Sequence, residues 1–491
     1  MKNTAFLLSG LLCLSACLPN KSEPETKQEA FRPQYHFTPQ TAWMNDPNGL
    51  VFYEGEYHLF YQHYPDSTVW GPMHWGHAVS PNLIHWEHLP IALYPDSLGY
   101  IFSGSVVVDW KNSSGFGSDS QPPLVAIYTY HDAVGERAGR NDYQTQGIAY
   151  SLDKGRTWTK YKNNPVLANP GIIDFRDPKV AWNEKSKQWV MALAVKDHIE
   201  FYGSADLKQW NKLSEFGKSI GAHGGVWECP DLFALVDESG NTRWILLVSI
   251  NPGGPQGGSA TQYFVGDFDG KSFMPQDTLT RWIDYGADNY AGVTWSDIPQ
   301  TDGRRLFIGW MSNWQYANVV PTQAWRSATT LPREIMLIKK DPVYELKFKP
   351  ASEIKSIIKD AKNFSGKGPL ERPVALIEFD AGAQDFTLTL SNESERVIVS
   401  LHNQEFSIDR TSSGIVNFNA DFPAIHRMDV GSVEVRNIKV YLDVASLEIF
   451  VNDGERVMTE IVFPERPYNK VNLESLRPEF TIASIASIWK P

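Results

Sequence analysis

Three carboxylates stand in settings unlike those of ordinary surface acids. Asp46 lies in W-M-N-D-P-N-G (residues 43–49), Asp177 in Asp174-Phe175-Arg176-Asp177-Pro178, and Glu228 in Gly224-Gly225-Val226-Trp227-Glu228-Cys229-Pro230. A proline after each aspartate removes a backbone donor and pushes the aspartate towards extended geometry. Glu228 sits among Gly, Val, Trp, Cys and Pro. Burial there would raise its pKa, and that is how an enzyme keeps an acid protonated near neutrality. An ionised nucleophile and a protonated acid about 5–5.5 Å apart are what glycoside hydrolysis with retention requires, and a third carboxylate would fix the substrate. Each residue alone also has a plainer reading: Asp46 as a turn aspartate, Asp177 as a turn or surface ion pair, Glu228 as the partner of an Arg or Lys. Arg176 adjoins Asp177, but neighbours on a strand face opposite ways, so the two need not pair.

The elements that must position these residues read as all-β. Asn48-Gly49 is a tight-turn dipeptide, and Leu50–Tyr53 and Tyr57–Gln62 read as two strands around Glu54-Gly55-Glu56. From residue 35 to about 340, short β-branched and aromatic runs alternate with turn residues, as in Leu124–Tyr130, Trp189–Val195 and Leu306–Met311. A degenerate repeat leads through Asn or Asp to an aromatic: Ser80 to Trp86, Ser151 to Trp158, Ser204 to Trp210, and more loosely Gly266 to Phe273. Four copies, with a further unit at 290–325, predict a five-bladed β-propeller over 33–340. The first strand of each blade lines the axis, so residues that open different blades converge. Of 17 tryptophans, 16 fall at or before Trp325. Beyond a helical candidate at 351–362, alternating strands predict a β-sandwich over 345–491.

The net charge of −12, with no basic cluster, excludes a nucleic-acid partner. Lys2, the apolar run Ala5 to Leu14, and Leu14-Ser15-Ala16-Cys17 read as a lipoprotein-type signal peptide over 1–17. Cys17 then becomes the lipidated first residue of a protein exported to a bacterial cell envelope, and the lipid is its sole link to a membrane. Residues 18–32 read as a flexible tether. Cys13 lies in the leader, which leaves the mature chain no pair for an internal disulfide. His74/His77 and His85/His88 have H-x-x-H spacing, but strand residues three apart face opposite sides and cannot chelate together. The Gly-rich stretch 251–259 lacks the lysine and helix of a phosphate loop. Neither a metal nor a cofactor is expected.

W-M-N-D-P-N-G, R-D-P and E-C-P, in that order, resemble glycoside hydrolase family thirty-two, the invertases, inulinases and levanases, over essentially the whole mature chain. The resemblance implies a five-bladed propeller with a C-terminal β-sandwich, Asp46 as nucleophile, Glu228 as acid/base, and Asp177 as transition-state stabiliser. It also implies substrate contacts from Trp43, Asn45 and Arg176 in those motifs, from Gln62 in F-Y-Q-H, from Trp70 and Trp75 as wall tryptophans, from Phe102 and Ser103 in F-S-G-S, and from Trp310 in I-G-W-M. Tyr64 departs from the family's Q-x-N-P. The implied substrates are fructans, sucrose and fructo-oligosaccharides. A fructosyltransferase or endo-acting fructanase would use the same site, and a lipid-anchored glycan-binding protein with a dead site is the alternative outside enzymes.

Overall fold

The computed structural model describes residues 29–118 and 120–489. The expected leader, its Cys17 and most of the tether lie outside them. The chain is a five-bladed β-propeller followed by a β-sandwich. The innermost strands of the blades are Ala42–Tyr53, Tyr100–Val108, Phe175–Asn183, Val226–Val236 and Tyr290–Thr294. Each is followed outward by three antiparallel strands, in sequence order in the first four blades. Adjacent blades cover both faces of these sheets, so the inner strands carry no polar face. The next strand out can be as enclosed: Leu124–His131, second in its blade, is buried at every residue.

The fifth blade differs from expectation. It takes its outer strands from Arg333–Lys340 and Val343–Pro350, both beyond the expected unit at 290–325 and the second also beyond the expected limit at 340. Asp341-Pro342 reverses the chain between two strands that match along their length. The intervening segment carries a 3₁₀ turn at Ala317–Val319, and its Trp325-Arg326 pairs in parallel with Ala42-Trp43 of the first blade. That pairing ties the last blade to the first. The helical candidate at 351–362 is also corrected. Only Ser352–Ile357 is helical, as 3₁₀, whereas Ile358–Ser365 is a strand paired with Glu479–Ile485. Tertiary pairing overrides a weak local preference there.

The sandwich is one continuous path of twelve strands that folds over itself. Its core joins Leu388 and Val399 from one half to Ile377, Val440 and Ile449 from the other. Its contact with the propeller combines a shared apolar cluster with buried ion pairs. Arg333 donates to Asp284 at 2.9 Å, to Thr459 at 2.7 Å and to Glu448 at 2.5 Å. Arg410 donates to Asp288 at 2.7 Å and to Glu460 at 2.8 Å. His36 lies between Asp443 and Glu448, 2.8 Å from each. All these side chains are essentially unexposed. Such pairs break even at best when intact but cost heavily when one partner is lost.

Burial works against charge on His36, but its two carboxylate partners outweigh burial and hold its pKa at about 9, above the ordinary 6.5. A raised histidine stabilises the fold fully below pH 6.5, and that contribution is lost as pH rises through 9. Thermal unfolding between pH 6 and pH 10 should therefore show a loss of about 2–3 kcal/mol that His36→Gln largely abolishes. Equal pH slopes in the two proteins would remove His36 from this role.

Candidate active site

Each innermost strand breaks step near its start. Asn45 pairs with Gln62 and Pro47 with Tyr61, so Asp46 is an extra residue. Phe102-Ser103 stand opposite one residue of the next strand, as do Asp177-Pro178, Cys229-Pro230 and Ala291-Gly292. These are β-bulges, which re-aim side chains. Proline is tolerated inside strands at such points because the ladder needs no donor there. Asp177, Cys229 and Ala291 have φ of +63°, +46° and +52°, a strained region for residues with a Cβ. Asn48-Gly49, expected as a tight turn, begins a second irregularity inside the first strand. Gly49 has φ +59°, and a Cβ there would lie 2.8 Å from Phe60 and 2.9 Å from Trp75.

The bulges bring the three carboxylates into one cavity of about 410 Å³, which Asn45, Gln62, Ser103 and Arg176 also line. Arg176 and Asp177 share it although they are sequence neighbours, because the bulge at Asp177 breaks strand alternation. Arg176 pairs with other carboxylates. Its Nε and Nη2 donate to Glu228 Oε1 at 3.2 and 3.0 Å, and its Nη1 donates to Asp174 at 2.5 Å. The Tyr290 hydroxyl donates to Glu228 Oε2. Asp46 Oδ2 accepts from Ser103 Oγ at 3.2 Å, and Asp177 Oδ2 accepts from the Cys229 amide at 3.0 Å. The Cys229 sulfur lies 3.8 Å from Asp46 and 3.6 Å from Asp177, so one S–H stands between two carboxylates.

Burial, reinforced by the charges of Glu228 and Asp177, pushes Asp46 up to about 7. Burial likewise raises Asp177, with Arg176 opposing and Glu228 reinforcing. The cluster thus retains a proton towards neutrality as a unit. Beyond the carboxylates the axis is closed. Lys179 Nζ donates to the Thr294 carbonyl at 2.6 Å and approaches Asp231 Oδ2 at 3.1 Å, which joins three blades across the centre.

The wall is corrected in part. Trp70 and Phe102 line the cavity, edge to face at 6.1 Å. Trp43, Trp75 and Trp310 do not line it. Each is fully buried behind it, on strand positions that face the neighbouring blade. Trp43 Nε1 donates to Asn45 Oδ1 at 2.7 Å, and Trp75 Nε1 donates to the Phe102 carbonyl at 3.0 Å. Both therefore orient residues that do face the cavity. The sequence reading missed Trp314 and Asn318, which line the rim from the segment between Arg305–Met311 and Trp325–Arg326; Asn318 Oδ1 accepts from the Trp70 amide at 2.9 Å. A tryptophan among polar residues, in Ser312-Asn313-Trp314-Gln315, was the available signal. His131, stacked flat on Phe102 at 4.2 Å, and Glu136 were also missed. Among the described residues, His198, Glu200 and Glu215 lie close enough to share an ion, but Lys212 already donates to Glu200.

The model of the glycosyl hydrolases family 32 N-terminal domain matches residues 36–350, and that of the family 32 C-terminal domain matches residues 349–489. The chain belongs to glycosyl hydrolase family 32. It is a glycosidase by that membership. It is 46% identical to a levanase from Bacillus subtilis (strain 168), over 98% of this chain and 74% of the levanase. It is 37% identical to an extracellular exo-inulinase from Aspergillus awamori, over 94% of this chain and 96% of that one. The crystal structure of exo-inulinase from Aspergillus awamori superposes with a TM-score of 0.86 at 36% identity, covering 94% of this chain and 99% of that one. A Schwanniomyces occidentalis β-fructofuranosidase complexed with fructosyl-erythritol gives 0.82 at 32% identity, covering 94% and 98%.

Because Asp46 stands at about 7 against an ordinary 3.8, its effect on stability runs opposite to that of a salt-bridged carboxylate. The stability available below pH 3.8 is lost as pH rises through 7. Asp46→Asn should therefore stabilise the protein by about 1–3 kcal/mol at pH 8 and leave it unchanged near pH 3.5, as read by denaturant unfolding. A gain independent of pH would contradict the buried charge.

Proposed function

We propose that the protein is a retaining hydrolase that releases terminal β-D-fructofuranosyl units from fructans and from sucrose-type oligosaccharides. The observation that carries this reading is a blind pocket with unpaired polar atoms at its carboxylate end. Asp46 Oδ1 and Gln62 Nε2 are buried there without a protein partner among the described residues. A sugar hydroxyl donates and accepts, so a fructosyl ring can satisfy both. The closed axis behind Asp177, with Trp70, Phe102 and Trp314 at the rim, admits one terminal ring and leaves the remaining chain outside. The named activities of the levanase, exo-inulinase and β-fructofuranosidase relatives support the same substrate class.

In this reading Asp46 attacks the anomeric carbon as the glycosidic bond breaks, and Glu228 gives its proton to the leaving oxygen. Glu228 then takes a proton from water, which displaces Asp46 and frees fructose with the original anomeric configuration. Asp177 holds ring hydroxyls and stabilises positive charge in the transition state. Arg176 and Tyr290 orient Glu228 through both its oxygens. Asn45, Gln62 and Ser103 supply polar contacts, and Trp70 and Phe102 apolar ones. Export to the cell envelope and acylation at Cys17 belong to the same proposal, on the strength of Leu14-Ser15-Ala16-Cys17 and of the extracellular relatives.

A time course on inulin or levan should show free fructose from the first points without a ladder of oligosaccharides. Folded Asp46→Ala should lose roughly 10⁴-fold or more of that rate. An early ladder would refute terminal attack, and near-normal hydrolysis by Asp46→Ala would refute the nucleophile. For the anchor, Cys17→Ala should move the protein from the membrane to the soluble fraction, and unchanged fractionation would refute acylation.

A further inference from the structure

The inner strands that carry Asp177 and Glu228 reach a second cavity at their far ends. Phe175–Asn183 passes Asp177 at one mouth of the propeller and Trp182 at the other, about 16 Å further along at strand rise. Val107-Val108, Phe233-Ala234 and Ser296-Asp297 reach the same far mouth from three of the other four blades. The Lys179 contacts with Asp231 and Thr294 separate the two cavities. The far cavity measures about 660 Å³, larger than the catalytic one and within the range of ligand sites.

Its lining has the chemistry of a sugar site. Trp110, Trp182, Trp189 and Trp244 line it. Trp110 is 60% exposed, an unusual position for so large an apolar surface unless something covers it. Its place is nonetheless fixed, because its indole N–H donates to Asp297 Oδ1 at 2.9 Å while Asp297 Oδ2 accepts from the Val108 amide at 3.1 Å. A ring held in this way loses little freedom on binding. Among the described residues, the buried indole N–H of Trp182 and the buried Oδ1 of Asp231 have no protein partner, which offers one donor and one acceptor. Hydroxyl groups satisfy both. The charged lining balances: Lys111, Lys179 and Arg305 against Glu184, Asp231 and Asp297, three of each sign. That balance favours neither an anion nor a cation.

We propose that this far mouth is a second, non-catalytic carbohydrate site, which holds an internal segment of a neutral fructan while the opposite mouth takes a chain end. The identity of the sugar rests on the proposed function; the existence of the site rests on the cavity itself. The test is affinity electrophoresis of the full chain carrying Asp46→Ala, in native gels containing inulin, levan, soluble starch or no polymer. The fructans should retard it, and saturating sucrose in the gel should leave part of that retardation in place. Adding Trp110→Ala, a change at an exposed side chain, should raise the apparent dissociation constant for the fructan at least threefold. Retardation that sucrose abolishes, retardation unaffected by Trp110→Ala, or retardation by starch alone would each overturn the proposal. Fructan hydrolysis by the unmutated chain is scored separately. If hydrolysis is absent while Trp110-dependent retardation persists, the catalytic reading fails and the second site stands; the reverse result does the opposite.

Discussion

In a regular strand, successive side chains point to opposite faces, and Arg176 and Asp177 would not share a pocket. The extra residue in each innermost strand is what lets them do so. The same device recurs at Asp46, Ser103, Cys229 and Ala291, so five blades each deliver a break in step to one end of the axis. Bulges alone would be loose. Here they are pinned by contacts between blades, such as the Asp177 amide on Thr129 and the Cys229 amide on Asp177. The positive φ at three of the bulges is tolerated because the surrounding sheets leave the chain no alternative path.

Packing three carboxylates around one guanidinium costs stability above the ordinary carboxylate range, and Asp46 bears much of that cost. The buried ion network beneath the propeller is matched differently. There every acid has a cation, and Glu448 is held below its usual value, burial being outweighed by Arg333 and His36. The difference is one of purpose. Charges at the domain contact are matched and closed, whereas the carboxylates in the cavity at the other mouth outnumber the one guanidinium among them.

The fold was legible because it follows from patterns with a period. Strand alternation, the repeat ending at Trp86, Trp158 and Trp210, and the loss of tryptophan after Trp325 each reflect packing that many residues share. The carboxylates were legible because proline inside a strand pattern already marks an irregular backbone. What the sequence hid depends on irregular geometry. Strand alternation cannot show that a bulge rotates Arg176 towards Glu228, nor that Trp75 and Trp310 turn into the core while Trp314 turns out of a loop. The last blade was misjudged for a related reason. Its second and third main strands are separated by a long excursion that closes the ring on Ala42-Trp43 before the sheet resumes at Arg333.

The Lys179 closure also governs traffic. With terminal attack, a freed sugar at the bottom of a dead-end pocket has the shortened chain between itself and solvent. Among the described residues, Lys179, Asp231 and Thr294 stand where a rear exit would have to pass while the polymer advances. The chain must withdraw after each cleavage, and it rebinds in competition with every other chain end nearby. Such an enzyme is distributive: it shortens a population of chains together and does not consume one chain to its end before starting another.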